Sequence, residues 1–346
     1  GPLMAAYRGS VRVFYPDPSA LVLRSENDWQ RDLAPLRVAA DHAEFALESE
    51  APYLEYKPCL RRGANFSWSS GTNKLALLSS EAPNDVYPHF FSGLSGRITE
   101  RYRFAAPALG HELALRFYLP PGYAENTLKR YPVLYMHDGA NLFFPEEAFL
   151  GRSWDVDETL DQLDAMNVIA ELIVVGIDTP AREHDYTEPG VEVYGRALSE
   201  ELRPWLETEL RTLSGPRNTA ILGSSLGGVA AFYVAWRWPQ LFGLAGCLSS
   251  TFGYQDELSA RVRREGRAGR ESLRLYLDSG WPHDNYEVTL SMAAALIDAG
   301  FVLGRDLVHL AYPLAKHDER SWSSRIHVPL QLFSGKLRRL ADARGA

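Results

Sequence analysis

Cysteine is nearly missing from this chain. Its two thiols, Cys59 and Cys247, are too few for a disulfide framework or a thiolate metal cluster, and they suit a reducing interior. Long apolar runs are missing as well. The longest are strand-sized, such as 172–177, far short of the roughly 20 residues that a membrane span needs. No signal-like apolar stretch follows Met4, so a cytoplasmic setting is expected, and Gly1-Pro2-Leu3 ahead of it read as an expression leader. A basic excess is absent too. The 36 Lys+Arg stand against 44 Asp+Glu, a net charge of −8, which speaks against nucleic acid as the partner. No His/Asp/Glu grouping has metal-ligand spacing, so no metal and no other cofactor is expected. A small molecule remains as the expected partner, with homo-oligomerisation left open.

What is present can fill a sizeable core: 46% of the 346 residues are apolar and 12% aromatic. The length suits about two domains, and the texture changes near residue 95. Before it, short alternating runs (11–15, 20–23, 43–47, 53–56, 74–78) are broken by Pro16, Pro18, Pro35, Pro52, Pro58 and the Gly71-Thr72-Asn73 turn. That spacing predicts a small all-β, immunoglobulin-like sandwich over 1–95. The stretch 84–96, rich in Pro, Ser and Gly, reads as a linker. From 96 to 346 the rhythm is strand, loop, helix. Buried-type strands at 133–137, 172–177, 219–222, 244–248, 273–277 and 307–312 follow a hairpin at 98–104 and 112–119. Helical patterns lie between them, for example 157–166, 197–210, 226–237 and 286–299. The expectation is an α/β domain with a mostly parallel, eight-stranded sheet covered on both faces.

Leu222-Gly223-Ser224-Ser225-Leu226-Gly227-Gly228 matches G-x-S-x-G, with an apolar strand running in and a helix former series running out. This is the strand–turn–helix context that a nucleophile elbow requires. The turn holds the serine hydroxyl above the sheet, and Gly223 and Gly227 leave room where side chains would clash. Ser225 then needs a base to take its proton. In α/β-hydrolases the chain order is Ser, acid, His, and His283, His309, His317 and His327 follow Ser225. His309 falls inside the last strand and His327 on the final helix. His317 sits in a loop at the carboxyl end of a sheet strand, where catalytic groups gather, and is the expected base. The acid that orients it should follow the strand 273–277. Asp284 is preferred and Asp278 is the alternative. The amide of Leu226 is expected to bind the oxyanion together with one from Gly139 or Ala140, in the loop after 133–137. Asp138 in that loop reads otherwise as a turn residue serving local backbone.

On these stretches a resemblance rests. Tyr131 to Gly139, Ile173 to Asp178, Gly223 to Gly228, Tyr276 to Gly280, and His317-Asp318 with Trp322 together resemble the esterase family typified by esterase D and enterochelin esterase, over about 98–332. The resemblance implies an α/β-hydrolase that cleaves carboxylic esters through Ser, His and an acid. The N-terminal region resembles the β-sandwich that some of these esterases carry, with Tyr53 to Lys57 as a strand before a turn holding Trp68. The loop Gly280-Trp281-Pro282-His283-Asp284 departs from the family pattern, so the acid is less closely marked than the nucleophile.

Arg182, on the loop after 172–177, reads either as a clamp for an anionic substrate group or as a partner of Glu183, Asp185 or Glu188. Tyr186, Trp154, Phe143, Tyr254 and Trp281 lie on loops expected at the same rim, where an aromatic group could stack on them. Ester hydrolysis through an acyl-enzyme is the leading function, with siderophore-type lactones, aryl esters and sugar esters as fitting substrates. An acyltransferase using the same acyl-enzyme, or a noncatalytic glycan-binding relic, are the competing readings.

Overall fold

Alternation builds the N-terminal strands. In the computed structural model, which describes residues 6–336 and 339, Val11 and Val13 of Tyr7–Phe14 point inward, as do Leu21 and Leu23 of Leu21–Ser25 and Ala43, Phe45 and Leu47 of His42–Ser49. The expectation for Gly1-Pro2-Leu3 and Met4 lies outside the described residues. Two sheets supply these side chains to one shared apolar cluster. One sheet has the order Arg37–Val38, His42–Ser49, Tyr7–Phe14, Asn84–Val86. The other runs Asp28–Leu33, Leu21–Ser25, Tyr53–Arg62, Asn65–Trp68, with Lys74–Leu77 also paired to Tyr53–Arg62.

The linker expected from residue 84 begins instead as a strand. Asn84–Val86 pairs in parallel with Tyr7–Phe14. The buried Asn84 side chain fastens it: Oδ1 accepts the Leu77 amide at 2.9 Å, and Nδ2 donates to the Leu77 and Ser10 carbonyls.

The larger sheet has nine strands rather than eight, because the expected first strand is split. Arg97–Ile98 and Tyr102–Ala106 each pair antiparallel with His111–Leu119. Thr99 breaks the ladder between them, its hydroxyl accepting the Phe117 amide at 3.2 Å. His111–Leu119 then pairs antiparallel with Ile173–Asp178. Beyond it Val133–His137, Thr219–Ser224, Leu244–Leu248, Arg274–Trp281 and Leu307–Pro313 follow in parallel. Both faces are apolar and covered. Val133 and Tyr135 pack into one cluster while Leu134 and Met136 pack into another, as the period of two demands. Strand order reverses around Val133–His137, which has the strand next in sequence on one side and Thr219–Ser224 on the other. Loops leaving the carboxyl ends there converge, the usual place for a ligand in such a sheet. Among the described residues, no helix is long and apolar enough to cross a membrane.

Candidate active site

Ser225 ends the strand Thr219–Ser224 and caps the helix Leu226–Arg237. Its backbone sits at φ 58, ψ −124, a region that a residue with a Cβ enters only under constraint. The constraint is visible. A Cβ on Gly223 would lie 2.4 Å from the Gly227 carbonyl oxygen, so the turn closes only with glycine there. The Ser225 amide donates to the Leu248 carbonyl at 3.0 Å, and the Thr251 amide donates back to the Ser225 carbonyl. From the neighbouring strand, His137 donates through Nδ1 to the Gly227 carbonyl at 2.9 Å. Burial pulls the His137 imidazole down to about 4, so it is a neutral brace and not a base.

His317 and Asp284 meet at 2.6 Å, Nδ1 to Oδ1. The other carboxylate oxygen of Asp284 accepts the Ser249 hydroxyl at 2.6 Å and the Gly280 amide at 2.8 Å. Burial favours the neutral acid, but the hydrogen bonds from His317, Ser249 and Gly280 outweigh it, and the Asp284 carboxyl is held below its ordinary value. Asp284 and Asn285 both have left-handed backbones, φ 71 and 61. Asn285 Nδ2 donates to the Ser249 carbonyl at 2.9 Å, which holds that turn against Ser249. Asp278, the alternative acid, is engaged elsewhere. It is fully buried and takes two hydrogen bonds from the buried Arg325 guanidinium, both 3.0 Å, and one from the Tyr276 hydroxyl. Ser249 joins the two carboxylates, since its hydroxyl also accepts from Arg325 and from Trp322 Nε1, each at 2.9 Å. Trp322 in turn stands edge-on to the His317 ring. Sequence reading missed Ser249 and Arg325. The faint signal for Ser249 is a hydroxyl at the carboxyl end of the strand beside the nucleophile.

The loop after Val133–His137 turns as a single 3₁₀ turn, Gly139–Asn141, following a left-handed Asp138. A Cβ on Gly139 would lie 2.6 Å from the Gly176 carbonyl carbon, so glycine lets the loop lie against the adjacent strand. Burial, and after it Asp138, pushes the Asp178 carboxyl at the end of the adjacent strand up to about 6, and the nearby Ala140 amide partly offsets this. Asp138 does not serve its own turn through its carboxylate. It receives Arg182 at 2.8 and 3.0 Å, a fork-to-fork pair. Arg182 therefore pairs with Asp138 and not with Glu183, Asp185 or Glu188.

Ser225 and His317 line one cleft of about 410 Å³, with Asp138, Asn141, Phe149, Leu150 and Trp322 among its walls. The aromatic rim expected from sequence is largely elsewhere. Tyr186 is 0% exposed and packs on His137 and Tyr194. Trp154 lies buried against Trp322, and Phe143 is buried in the apolar core. Their rings complete the core because it offers more apolar area than the rim does. Tyr254 and Trp281 are exposed but do not line this cleft; Tyr254 donates to Glu183 at 2.7 Å. The apolar wall is instead Phe149 and Leu150, 66% and 82% exposed. Two consecutive large apolar residues in a polar loop were their signal. His309 and His327 lie outside the cleft. Neither thiol takes part: Cys247 is buried in its strand, and burial pushes the Cys59 thiol up to about 12. No group of His, Cys, Asp and Glu placed to hold a metal occurs among the described residues.

The chain has relatives among known proteins. An uncharacterised protein of Bacillus subtilis, YbbA, is 24% identical over 153 residues, covering 40% of this chain and 57% of that one. The iron(III) enterobactin esterase of Escherichia coli K12 is 25% identical over 133 residues, 37% of this chain and 33% of its own. The chain thus spans a third to about three fifths of these two relatives' length. Among solved structures, the enterochelin esterase of Shigella flexneri aligns over 94% of this chain and 91% of its own, with a TM-score of 0.55 and 15% identity. A ferulic acid esterase of Anaeromyces mucronatus aligns over 68% and 90%, with a TM-score of 0.56 and 19% identity. At such identities the structures speak to the fold. The family described as Putative esterase matches residues 106–324, more than half of the chain and every part of the elbow, acid and histidine loops. This chain belongs to that esterase family.

Proposed function

We propose that the chain is a serine carboxylic-ester hydrolase working through an acyl-enzyme. One observation carries the reading: His317, held by Asp284 at 2.6 Å, borders the same cleft as Ser225 on its strained turn. With Nδ1 bound to Asp284, His317 has Nε2 to accept a proton. Ser225 Oγ attacks the ester carbonyl as its proton passes to Nε2. The carbonyl oxygen gains the charge and rests on the amides of Leu226 and of the Gly139 loop. The helix start at Leu226 adds the positive end of its dipole. Collapse expels the alcohol, which takes the proton from His317. Water then adds to the acyl-enzyme with His317 again as base, releasing the acid and restoring Ser225.

Relatives named for enterobactin and ferulic acid make siderophore-type and aryl esters the first classes to test, with sugar esters beside them. The division into a sandwich domain over 1–95 and a catalytic domain over 96–346 is part of the same reading, supported by an N-terminal apolar cluster separate from those of the large sheet. Two buried free thiols support a cytoplasmic setting. The test is an ester panel with Ser225→Ala alongside, plus labelling by a fluorophosphonate. Turnover lost by at least about 10³-fold with the fold retained is expected. Unchanged cleavage by Ser225→Ala would refute the assignment.

A further inference from the structure

Charge in the Ser225 cleft is one-sided. Its lining holds Asp138, Asp318 and Glu319 against a single guanidinium, Arg182. Arg182 and Asp138 join through two bonds and offset each other, and the Nε–Nη2 edge of the guanidinium is occupied. Asp318 accepts the Ser321 amide at 2.8 Å and Glu319 feels Arg182 and His317, yet no second Lys or Arg joins the lining, so three carboxylates still face one guanidinium. The Glu319 carboxyl is raised, chiefly by burial; its own backbone amide and His317 draw it down, while Asp318 and Asp138 raise it further. The nearest cations in sequence, Lys316 and Arg320, are exposed and do not line the cleft. Arg320 borders a separate hollow with Arg152 and Asp155. The rest of the wall is apolar, with Phe149 and Leu150 standing into solvent at the mouth and Trp322 at the base. Carboxylates set among low-dielectric walls concentrate a negative potential where the substrate must lie.

We propose that this site takes uncharged or cationic esters with an apolar arm laid against Phe149 and Leu150, and rejects esters carrying an anionic group near the scissile bond. The proposal rests on the serine-esterase reading above. Of the two sequence-based readings of Arg182, it takes the carboxylate pair over the anion clamp.

Two matched series test it at pH 8. The first varies the acyl side: 4-nitrophenyl butanoate, its glutarate monoester and its 4-(trimethylammonio)butanoate. The second varies the leaving side: butanoyl thioesters of mercaptoethanol, mercaptopropionate and thiocholine. In at least one series kcat/KM for the anionic member should fall about tenfold or more below the neutral one, with the cationic member equal or faster. The gap should contract in 0.5 M NaCl and in Glu319→Gln. Anionic members cleaved as fast as neutral ones in both series, or a gap indifferent to both salt and Glu319→Gln, would overturn the proposal while Ser225 still labels with the fluorophosphonate. No turnover of any member and no label on Ser225 would remove the esterase reading itself, and this proposal with it.

Discussion

Replacing each of two neighbouring aspartates by asparagine should separate catalysis from stability. Asp284 presents Oδ1 to His317 at 2.6 Å and Oδ2 to Ser249 and Gly280. Asparagine can keep one carbonyl oxygen on Ser249 and Gly280, which turns its amide toward His317. An NH₂ there donates to Nδ1 and leaves the proton on Nε2, the wrong tautomer to accept from Ser225. The imidazolium also loses its counter-charge. Together these should lower kcat by about 10³–10⁴-fold, or about 4–5.5 kcal/mol of barrier. The cost in stability should be about 1.5–3 kcal/mol, that of a charge-assisted hydrogen bond. Asp278 is the reverse case. Its carboxylate faces the buried Arg325, and neutralising it strands a guanidinium that is 1% exposed. Breaking such a pair costs about 3–5 kcal/mol, or about 10 °C in Tm for a domain of this size. Turnover per folded molecule should fall far less than for Asp284→Asn. Ester kinetics at 20 °C beside thermal melts would read both quantities. The reasoning fails if Asp278→Asn abolishes kcat at unchanged Tm while Asp284→Asn keeps near-normal kcat.

Further expectations concern the acid limb of stability and the elbow. Because the folded-state Asp284 carboxyl is held below its unfolded value of about 3.9, its contribution is present above that pH and is lost as pH falls through the folded value. Urea melts from pH 6 to pH 2 should therefore show wild type and Asp284→Asn converging at the acid end; a constant offset would contradict the linkage. Ser225→Gly should raise stability by about 1 kcal/mol by releasing the φ 58 backbone, with activity gone; a lower Tm would count against strain at the elbow. Gly223→Ala should disrupt the turn, since its Cβ would meet the Gly227 carbonyl oxygen at 2.4 Å. A destabilisation of about 2 kcal/mol or more with loss of turnover is expected, and a silent variant would show that the turn can relax.

The features legible in the sequence are the local ones. The elbow is readable because strand, glycine, serine and helix lie within a few residues, and their sterics need no distant partner. Alternation exposed most of the N-terminal strands for the same reason. Asn84–Val86 escaped because its partner, Tyr7–Phe14, lies more than 70 residues away and its anchor is a side chain on Ser10 and Leu77. Asp284 and Asp278 could be shortlisted but not ranked with assurance. Two left-handed residues turn one carboxylate to His317, and a buried arginine 47 positions further on claims the other.

By itself, the sequence determined the sheet's rhythm, the serine on its turn and the histidine on the loop after the last strand. These follow from backbone sterics and from the periodicity of burial. Only the tertiary structure decided where side chains point once loops meet. It sent Tyr186, Trp154 and Phe143 into the core, brought Phe149 and Leu150 to the cleft, and bound Arg182 to Asp138. Those outcomes depend on competition among residues far apart in the chain for apolar contact and for opposite charge, and no local pattern encodes which of them prevails.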